Sequence, residues 1–419
     1  MPGSDQPVRP LAPVDLHDPH TFGSGIPHEA FRTMRATPGL TWSPAIDGTA
    51  GFWSVTRHDD LVRASRDTTT FSSGVGHIQI YDIDDDALSA RASMIDMDPP
   101  VHTRLRRIVS SAFTPRRVQS YRDAVRTRVD HCLDQLEVGQ GGDWVELVAK
   151  PIPIGVICDL MGVPPEDQNY LIELTDHLVA GTGAEPLEPS AYGNTTDLRL
   201  LPFNSPAAWA MSEYAAQLGE LRRSEPADDL VTQLINAEID GERLTTEEFT
   251  NFFRLMIFAG NETTRSSMAH LAMQLIQFPD AFAAAAADRS LIGPLVDEII
   301  RYSSAILYFR RTVTTPTEFA GTALAEGDKV VMWYCAANFD DTEFPDPYDF
   351  RTDRPAVPPH VAFGGGGAHF CLGASLARLE IAELVAAIFD RGITITDLGE
   401  PQYTESNFVN GIEKLQVTL

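Results

Sequence analysis

A cysteine that follows four consecutive glycines offers the clearest chemistry in the sequence. The stretch runs from Phe363 to Gly373 and includes Cys371. Glycine allows positive φ angles and a close approach of the backbone to a partner, at an entropic cost that needs a reason. We expect that partner to be a flat group lying against the turn, rather than other parts of the chain.

The residues after the cysteine predict a helix over Leu372–Phe389, with few polar positions. Cys371 would then lie at a helix N-terminus, where unpaired N–H groups favour an anion. That position is expected to lower the pKa of the thiol and to favour the thiolate. Three interpretations stay open: a small buried apolar residue, a nucleophile assisted by a histidine base, and an axial haem ligand. The turn by itself slightly favours the third.

A second chemical motif lies inside a long apolar helix, predicted over Thr245–Phe278. Gly260 in the middle of this helix costs ~1 kcal/mol relative to alanine. Glu262 and Thr263 follow closely, although a buried helix would normally avoid them. The motif is either a packing glycine with solvated polar neighbours, or a local distortion that opens a groove and delivers protons through Glu262 and Thr263.

Two pairs of charged residues at helical spacing accompany these motifs. His102 and Arg106 are four residues apart after a Pro-Pro turn, so they share one face of a helix. A solvated basic helix would explain this pair without any function. Glu298 and Arg301 can also pair on one face, but an exposed pair of this kind contributes little to stability.

Composition limits the possible classes of protein. The 419 residues are 43% hydrophobic, with no apolar run of the ~18 residues that a membrane span needs. The first residues lack a basic start and an apolar segment, so we expect no secretory signal and a cytoplasmic protein. The net charge of −27 argues against nucleic-acid binding. The four cysteines show no CxxC spacing, which argues against a disulfide framework or a zinc site.

The order of the predicted elements indicates a mainly α fold with a minor β portion at both ends. Strands are predicted at 40–43 and 51–56 as a hairpin, at 306–313, 317–321 and 329–334, and at 393–395 and 415–419 in the tail. Two long irregular stretches, 72–93 and 181–206, are expected to cover a pocket, since long loops in compact domains are usually functional. We expect residues 1–419 to form one domain.

Taken together and in this order, the motifs resemble the cytochrome P450 superfamily over essentially the full length. The corresponding positions are the glycine-rich turn Phe363–Gly373, the Glu-x-x-Arg pair Glu298 and Arg301, the central-helix motif Ala259–Thr263, and the pair His102 and Arg106. Two departures stand out. Phe363 and Cys371 are eight residues apart instead of seven, and Ala305 replaces a common proline. The extra glycine and the string AGNETTR are similar to bacterial members that hydroxylate steroids and methyl-branched lipids.

This resemblance implies haem b (iron protoporphyrin IX) held between the long central helix and the cysteine-bearing helix, with Cys371 as the iron ligand. It implies that cationic and hydrogen-bonding groups bind the two haem propionates, because buried carboxylates need such partners. These groups would be His102, Arg106, Arg311 and His369, while Phe363 and Gly365 would contact the cofactor. Glu298, Arg301 and Arg354 are then structural residues that support the loop before the cysteine.

The implied reaction inserts one atom of O2 into a C–H bond of an apolar small molecule: a terpenoid, a steroid or a methyl-branched lipid. Thr263 and Glu262 would deliver the protons that O–O cleavage requires. The substrate would lie in an apolar pocket above the iron. Its implied lining residues, each explained equally well as core, are Leu255, Phe258, Ala259, Ile306, Leu307, Phe408 and Val409.

Electrons must come from a partner, since no Rossmann fingerprint or flavin domain is present. The resemblance implies a ferredoxin and an NAD(P)H-dependent ferredoxin reductase. A basic cluster of Arg104, Arg107, Arg116 and Arg117 is the predicted docking patch on this acidic chain. Two alternatives are a haem-thiolate binding or sensing protein and a peroxide-driven oxygenase, but the Glu262–Thr263 pair argues against both.

Overall fold

Helices form most of the protein, as the apolar periodicity predicts. The computed structural model describes residues 9–46, 48–82, 93–136, 141–180, 206–239 and 241–419. Its helices are α1 (His28–Ala36), α2 (His58–Arg66), α3 (Val101–Ser110), α4 (Pro115–Gln119), α5 (Arg122–Leu133), α6 (Pro151–Met161), α7 (Pro165–Ala180), α8 (Pro206–Ser224), α9 (Leu230–Asn236), α10 (Thr246–Gln277), α11 (Pro279–Ala287), α12 (Ile292–Ser303), α13 (Tyr334–Ala337) and α14 (Ala374–Arg391).

The strands form a minor portion of the chain. They are β1 (Thr41–Ser43), β2 (Phe52–Val55), β3 (Phe71–Ser72), β4 (Gly142–Asp143), β5 (Glu238–Ile239), β6 (Glu242–Arg243), β7 (Tyr308–Val313), β8 (Thr317–Phe319), β9 (Thr322–Leu324), β10 (Lys329–Trp333), β11 (Asp397–Leu398), β12 (Gln402–Tyr403), β13 (Ile412–Lys414) and β14 (Gln416–Thr418). Most lie before residue 73 or after residue 307, as predicted, but the short strands β4, β5 and β6 lie between these regions. The largest sheet has the order β1-β2-β10-β7-β3, with β10 parallel to β2 and the other pairs antiparallel.

The long helix α10 is the central helix of the fold. A capping box closes its N-terminus, because the Thr245 side chain accepts from the Glu248 N–H while the Glu248 side chain accepts from the Thr245 N–H. Its bounds agree with the predicted Thr245–Phe278. The helix continues through Gly260 without a break, so a distortion there, one of the two interpretations of the motif, does not interrupt the helix.

The cysteine-bearing helix α14 packs against α5, α12 and the central helix. It begins at Ala374, with Gly373 as its N-cap, and Gly392 in the left-handed conformation ends it. Cys371 therefore precedes the first helical residue, close to the predicted position. The predicted strand Ile393–Ile395 is wrong. These residues are irregular, and the pairing with β14 begins only at Asp397.

Candidate functional site

A cavity lies between the central helix and the cysteine-bearing helix. The space between its walls amounts to about 1730 Å³, part of it open to solvent. Most of its surface is apolar, and Cys371 reaches it from the glycine-rich turn.

The glycine-rich turn needs its glycines for two different reasons. Gly364, Gly366 and Gly367 have φ angles of +96°, +88° and +78°, which side chains rarely adopt. Gly365 is different, because a Cβ there would lie 2.9 Å from the Cβ of Ser65 in α2. Of the four, only Gly364 lines the cavity. Gly365, expected to contact a cofactor, instead allows close packing of the turn against a helix, which the sequence interpretation had excluded.

The Cys371 side chain is exposed to the inner cavity. Burial raises the pKa of its thiol, and this outweighs the lowering by the backbone N–H groups of Gly373 and Ala374 and by the charge of Arg106. The expected lowering by the helix N-terminus is thus present but smaller than the effect of burial. A thiolate here needs an additional positive partner, as a metal ion provides. In the described part of the chain no histidine is hydrogen-bonded to this sulfur, which argues against a histidine-assisted nucleophile.

Cationic and imidazole groups gather at one side of the cavity, as predicted. The rings of His102 and His369 lie 4.3 Å apart, and Arg106 donates from Nη2 to the Phe370 carbonyl at 2.6 Å. Nε2 of His369 is 3.2 Å from Oγ of Ser73. These three predicted residues line the cavity, so the structure brings together α3 and the turn before the cysteine.

Arg311, the fourth predicted propionate partner, lies just behind this group. It is buried, and its guanidinium donates from Nη1 to the carbonyl of Arg310 at 2.8 Å. Within the described residues no carboxylate pairs with it. Burial, together with the charges of Arg311 and Arg106, lowers the pKa of His369 to about 2. Burial and Arg106 lower that of His102 to about 4. Both imidazoles are therefore neutral at physiological pH.

Glu262 and Thr263 both line the cavity from the central helix. Glu262 is buried, and Nη1 of Arg265 lies 3.5 Å from its Oε2. Its other oxygen faces the tail, since a Cβ at Gly411 would lie 3.5 Å from Oε1. The Thr263 hydroxyl donates to the carbonyl of Ala259 at 2.9 Å, one turn back along the helix. The acid and the alcohol are thus adjacent but face different neighbours.

Glu298 and Arg301 form a fully buried pair. Nε and Nη2 of Arg301 donate to the two carboxylate oxygens at 2.7 and 2.8 Å. Oε1 of Glu298 also accepts from Nε of Arg354 at 3.0 Å and from the backbone N–H of Arg351 at 2.8 Å. Burial alone would raise the pKa of Glu298, but the hydrogen bonds and the charge of Arg301 hold it below the usual 4.5.

A chain of hydrogen bonds links this pair to the turn before the cysteine. Arg301 donates from Nη1 to the carbonyl of Asn338 at 2.7 Å. The Asn338 side chain accepts from the N–H of Val361 at 2.7 Å, and the Val361 carbonyl accepts from the N–H of Gly364 at 2.8 Å. Arg354 joins the pair through Glu298, so all three predicted structural residues lie in one network.

Six of the seven predicted substrate-pocket residues line the cavity: Leu255, Phe258, Ala259, Ile306, Phe408 and Val409. Leu307 does not. Leu307 instead packs with Tyr308 and Trp333. Lining residues that the sequence interpretation missed include Met94, Ile95, Phe113, Ile157, Ile300 and Phe309.

The two expected covering loops are only partly within the described residues. Ile78 and Gln79 of the 72–93 stretch line the cavity, and residues 83–92 lie outside the described part. In the 181–206 stretch, residues 181–205 also lie outside it. Only the first half of the 72–93 loop can therefore be placed against the cavity.

The four arginines of the predicted docking patch have different surroundings. Arg104 forms an ion pair with Glu248, and Arg117 lies 2.8 Å from the carboxylate of a residue just before α9. Arg107 and Arg116 are exposed. Acidic neighbours thus offset the charges of Arg104 and Arg117 in the patch that the sequence predicted.

A family model of cytochrome P450 matches residues 16–418 of this chain. The chain belongs to the cytochrome P450 family. This P450 is 37% identical to a methyl-branched lipid omega-hydroxylase from Mycobacterium tuberculosis, covering 99% of this chain and 97% of the relative. It is 35% identical to a steroid C26-monooxygenase from Mycolicibacterium smegmatis, covering 94% of this chain and 90% of the relative.

The fold of a solved relative agrees with this assignment. A Mycobacterium marinum cytochrome P450, solved in complex with pseudoionone, superimposes with a TM-score of 0.86 at 34% identity, covering 99% of this chain and 100% of the other. The predicted fold class and family are confirmed. This P450 is therefore a monooxygenase that uses haem b and O2. Among the described residues, no helix is long and apolar enough to cross a membrane.

The residues of the cavity fit haem b. Cys371 lines the cavity, and its side chain is exposed there. The buried Arg311 has no carboxylate partner among the described residues, and Nδ1 of His102 has no hydrogen-bond partner there. Buried polar groups left in this state are costly, and a pair of carboxylates such as the haem propionates would complete both.

Proposed function

We propose that this P450 hydroxylates the chain end of an apolar substrate with a methyl-branched chain, such as a methyl-branched lipid or a steroid side chain. The observation that carries the proposal is the mostly apolar cavity that opens above Cys371 and runs along the Glu262–Thr263 motif. The activities of the two relatives support it, since an omega carbon and steroid C26 are both chain-end carbons.

The proposed roles of the residues follow from their positions. Cys371 would ligate the haem iron, while Arg106, Arg311, His102 and His369 would bind the propionates. Haem with a thiolate ligand supplies the oxidising iron centre, and the thiolate favours O–O cleavage. The two imidazoles would donate hydrogen bonds to the propionates. Leu255, Phe258, Ala259, Ile306, Phe408 and Val409 would hold the substrate away from water.

Protons would enter on the side of the tail loop. Glu262 faces Gly411 and Arg265 on that side, while Thr263 lies beside it at the cavity wall. We assign to Glu262 the uptake of protons and to the Thr263 hydroxyl their delivery into the cavity. Since this hydroxyl donates to Ala259 at 2.9 Å, delivery requires that bond to be exchanged for one toward the cavity.

The electron donor in this proposal is a ferredoxin with its reductase. A strongly acidic chain can guide an acidic partner only to a local basic surface. Arg107 and Arg116 are the exposed members of the predicted patch and are the proposed docking residues. Arg104 and Arg117 contribute less, because carboxylates already bind them.

One turnover assay tests the function and the proton role together. The haem-loaded enzyme is given NADH, a surrogate ferredoxin and reductase, and an iso-branched fatty acid or a steroid with a branched side chain. We expect substrate-dependent NADH consumption and a product hydroxylated at the chain end. The same substrate with peroxide and no reductase should give little product, and a sensing protein would consume no NADH in response to substrate.

The variant Thr263→Ala should still consume NADH but yield about tenfold less product, because O–O cleavage loses its proton donor. Thr250→Ala is the matched control. Its hydroxyl also bonds a carbonyl of the same helix, that of Glu247 at 3.1 Å, but it lies away from the cavity. Full coupling of NADH to product in Thr263→Ala would disprove the proton role, and hydroxylation away from the chain end would disprove the proposed regiochemistry.

A further inference from the structure

Residues 78–82, here called the cover segment, contribute Ile78 and Gln79 to the cavity wall. The segment forms neither helix nor strand. Near its start, the carbonyl of Ile78 accepts from the N–H of Arg310 at 2.7 Å, and the N–H of Ile80 donates to the hydroxyl of Tyr308 at 3.2 Å. An irregular segment of this kind keeps its position only if its other end is also held.

The other end is held by the carboxylate of Asp82. Its Oδ1 lies 2.8 Å from Nζ of Lys329 and 3.4 Å from Nη1 of Arg310. Its Oδ2 accepts from the backbone N–H of Ala50 at 2.8 Å. The same two cations also bond the backbone of the segment, Lys329 to the carbonyl of Ile80 at 2.7 Å and Arg310 to that of Tyr81 at 3.3 Å.

The two cations are buried at the centre of the main sheet. Arg310 lies on β7 and Lys329 on the adjacent β10, with side chains 6% and 4% exposed. Burial lowers the pKa of Lys329 to about 8, although Asp82 acts in the opposite direction. Buried cations cost free energy unless a carboxylate compensates them, so removal of the Asp82 charge should release the segment.

We propose that Asp82 is a positioning residue for ligand binding: its carboxylate, bound by Lys329 and Arg310, holds the cover segment against the cavity. Asp82 itself does not line the cavity and acts through Ile78 and Gln79. We call the contacts of the Asp82 carboxylate with Lys329 and Arg310 the clasp. The role of the clasp in controlling substrate affinity rests on the proposed function. The clasp itself does not.

Two readouts on the haem-loaded variant Asp82→Asn test the proposal. Hydrogen exchange of the amides in the cover segment should be about tenfold faster. The midpoint of thermal unfolding should change little, because the Asp82 side chain is 39% exposed and water screens its pairs, unlike the fully buried pair of Glu298. The dissociation constant of clotrimazole, a bulky azole that fills an apolar cavity above the iron, should rise about tenfold. That of imidazole, which needs no cavity wall, should stay unchanged. The comparison of the two dissociation constants tests whether the cavity wall is in place, and it does not depend on the proposed substrate class.

Asp328→Asn is the matched control. Asp328 immediately precedes Lys329 and accepts from Nε1 of Trp53 at 3.1 Å and from the N–H of Ala325 at 2.9 Å, away from the cover segment. It should change neither the local exchange nor the ratio of the two azole affinities. Lys329→Met, which removes one cation of the clasp, should act like Asp82→Asn with a smaller effect and serves if that variant does not fold.

Unchanged exchange in both clasp variants would overturn the proposal. Faster exchange with unchanged clotrimazole affinity would also overturn it, because the clasp would then hold the segment without controlling binding. Failure of a branched fatty acid to bind the wild-type enzyme, with the azole results as expected, would instead contradict the proposed function alone.

Discussion

Two buried glutamates on neighbouring helices have opposite surroundings. Glu298 on α12 accepts from Arg301, from Arg354 and from the backbone of Arg351. Glu380 on α14 is 1% exposed and lines the cavity, and no residue in the described part of the chain donates to it. Their pKa values move apart accordingly. Hydrogen bonds hold that of Glu298 below 4.5 despite its burial, whereas burial raises that of Glu380 well above 4.5.

The difference separates two uses of buried charge. Around Glu298 the chain supplies all the partners, so folding alone completes the network, and the network in turn holds the turn before the cysteine. At the cavity wall, Nδ1 of His102 and Oε2 of Glu380 have no partners among the described residues, and just behind it the buried Arg311 forms no ion pair with a described carboxylate. We infer that this region is completed by what enters the cavity. Substitutions in the first region should lower stability strongly, and those in the second should act on cofactor binding or on the pH dependence of stability.

The largest effect is expected for Glu298→Gln. Removal of one partner from a buried ion pair leaves an uncompensated cation, and we expect a loss of ~3–5 kcal/mol in the free energy of unfolding at pH 7. Because the folded pKa of Glu298 lies below its unfolded value of 4.5, its contribution is present above that pH and is lost as pH falls through the folded pKa. Denaturant unfolding between pH 3 and pH 7 measures both.

Glu383→Gln is the control for this substitution. Glu383 is also a buried glutamate with an arginine partner, but that partner, Arg122, is half exposed. Water screens such a pair, so the loss should be at most ~1 kcal/mol. Equal losses in the two variants would mean that burial of both partners does not matter, contrary to the comparison above.

A smaller effect on stability but a clear one on cofactor binding is expected for Arg311→Met. Replacement of a buried cation that has no carboxylate partner by an apolar side chain of similar length should be close to neutral for the apoprotein. Haem transfer to apomyoglobin should become about tenfold faster, since the propionates lose a charge-assisted partner. Arg35→Met is the control. Arg35 is also buried and donates to the Ala336 carbonyl at 2.9 Å, but its charge, unlike that of Arg311, does not act on His102 or His369. If both variants lost haem equally fast, the assignment of Arg311 would be contradicted.

The sequence was most informative where a motif combined a residue type with a spacing. The central helix was predicted to within one residue at each end, because its cap and its apolar length leave few alternatives. Glu298 and Arg301 were predicted to pair from their spacing alone. Their burial could not be derived from that spacing, and entered through the resemblance to the family.

The errors arose where a side chain's surroundings depend on distant segments. Gly365 lies against Ser65 of α2, three hundred positions away in the chain, and no local pattern indicates that contact. The acidic partners of Arg104 and Arg117 are likewise remote in sequence. The effect of the helix N-terminus on Cys371 was predicted with the correct sign, but the larger effect of burial depends on how the whole cavity closes around it.

The smallest effect is expected for Glu380→Gln, and its pH dependence should be opposite to that of Glu298→Gln. Because the folded pKa of Glu380 lies above its unfolded value of 4.5, its contribution to stability is fully present below that pH and is lost as pH rises through the folded pKa. A glutamine does not titrate, so the variant should equal the wild type in stability near pH 4 and be more stable than the wild type at pH 8, where only the wild type has lost the contribution of the protonated carboxyl. Denaturant unfolding of the haem-loaded protein at both pH values measures the difference. The stability difference from the wild type should change with pH in opposite directions for Glu298→Gln and Glu380→Gln. A change in the same direction would mean that the two pKa values are not shifted in opposite directions, and it would contradict the comparison of the two regions.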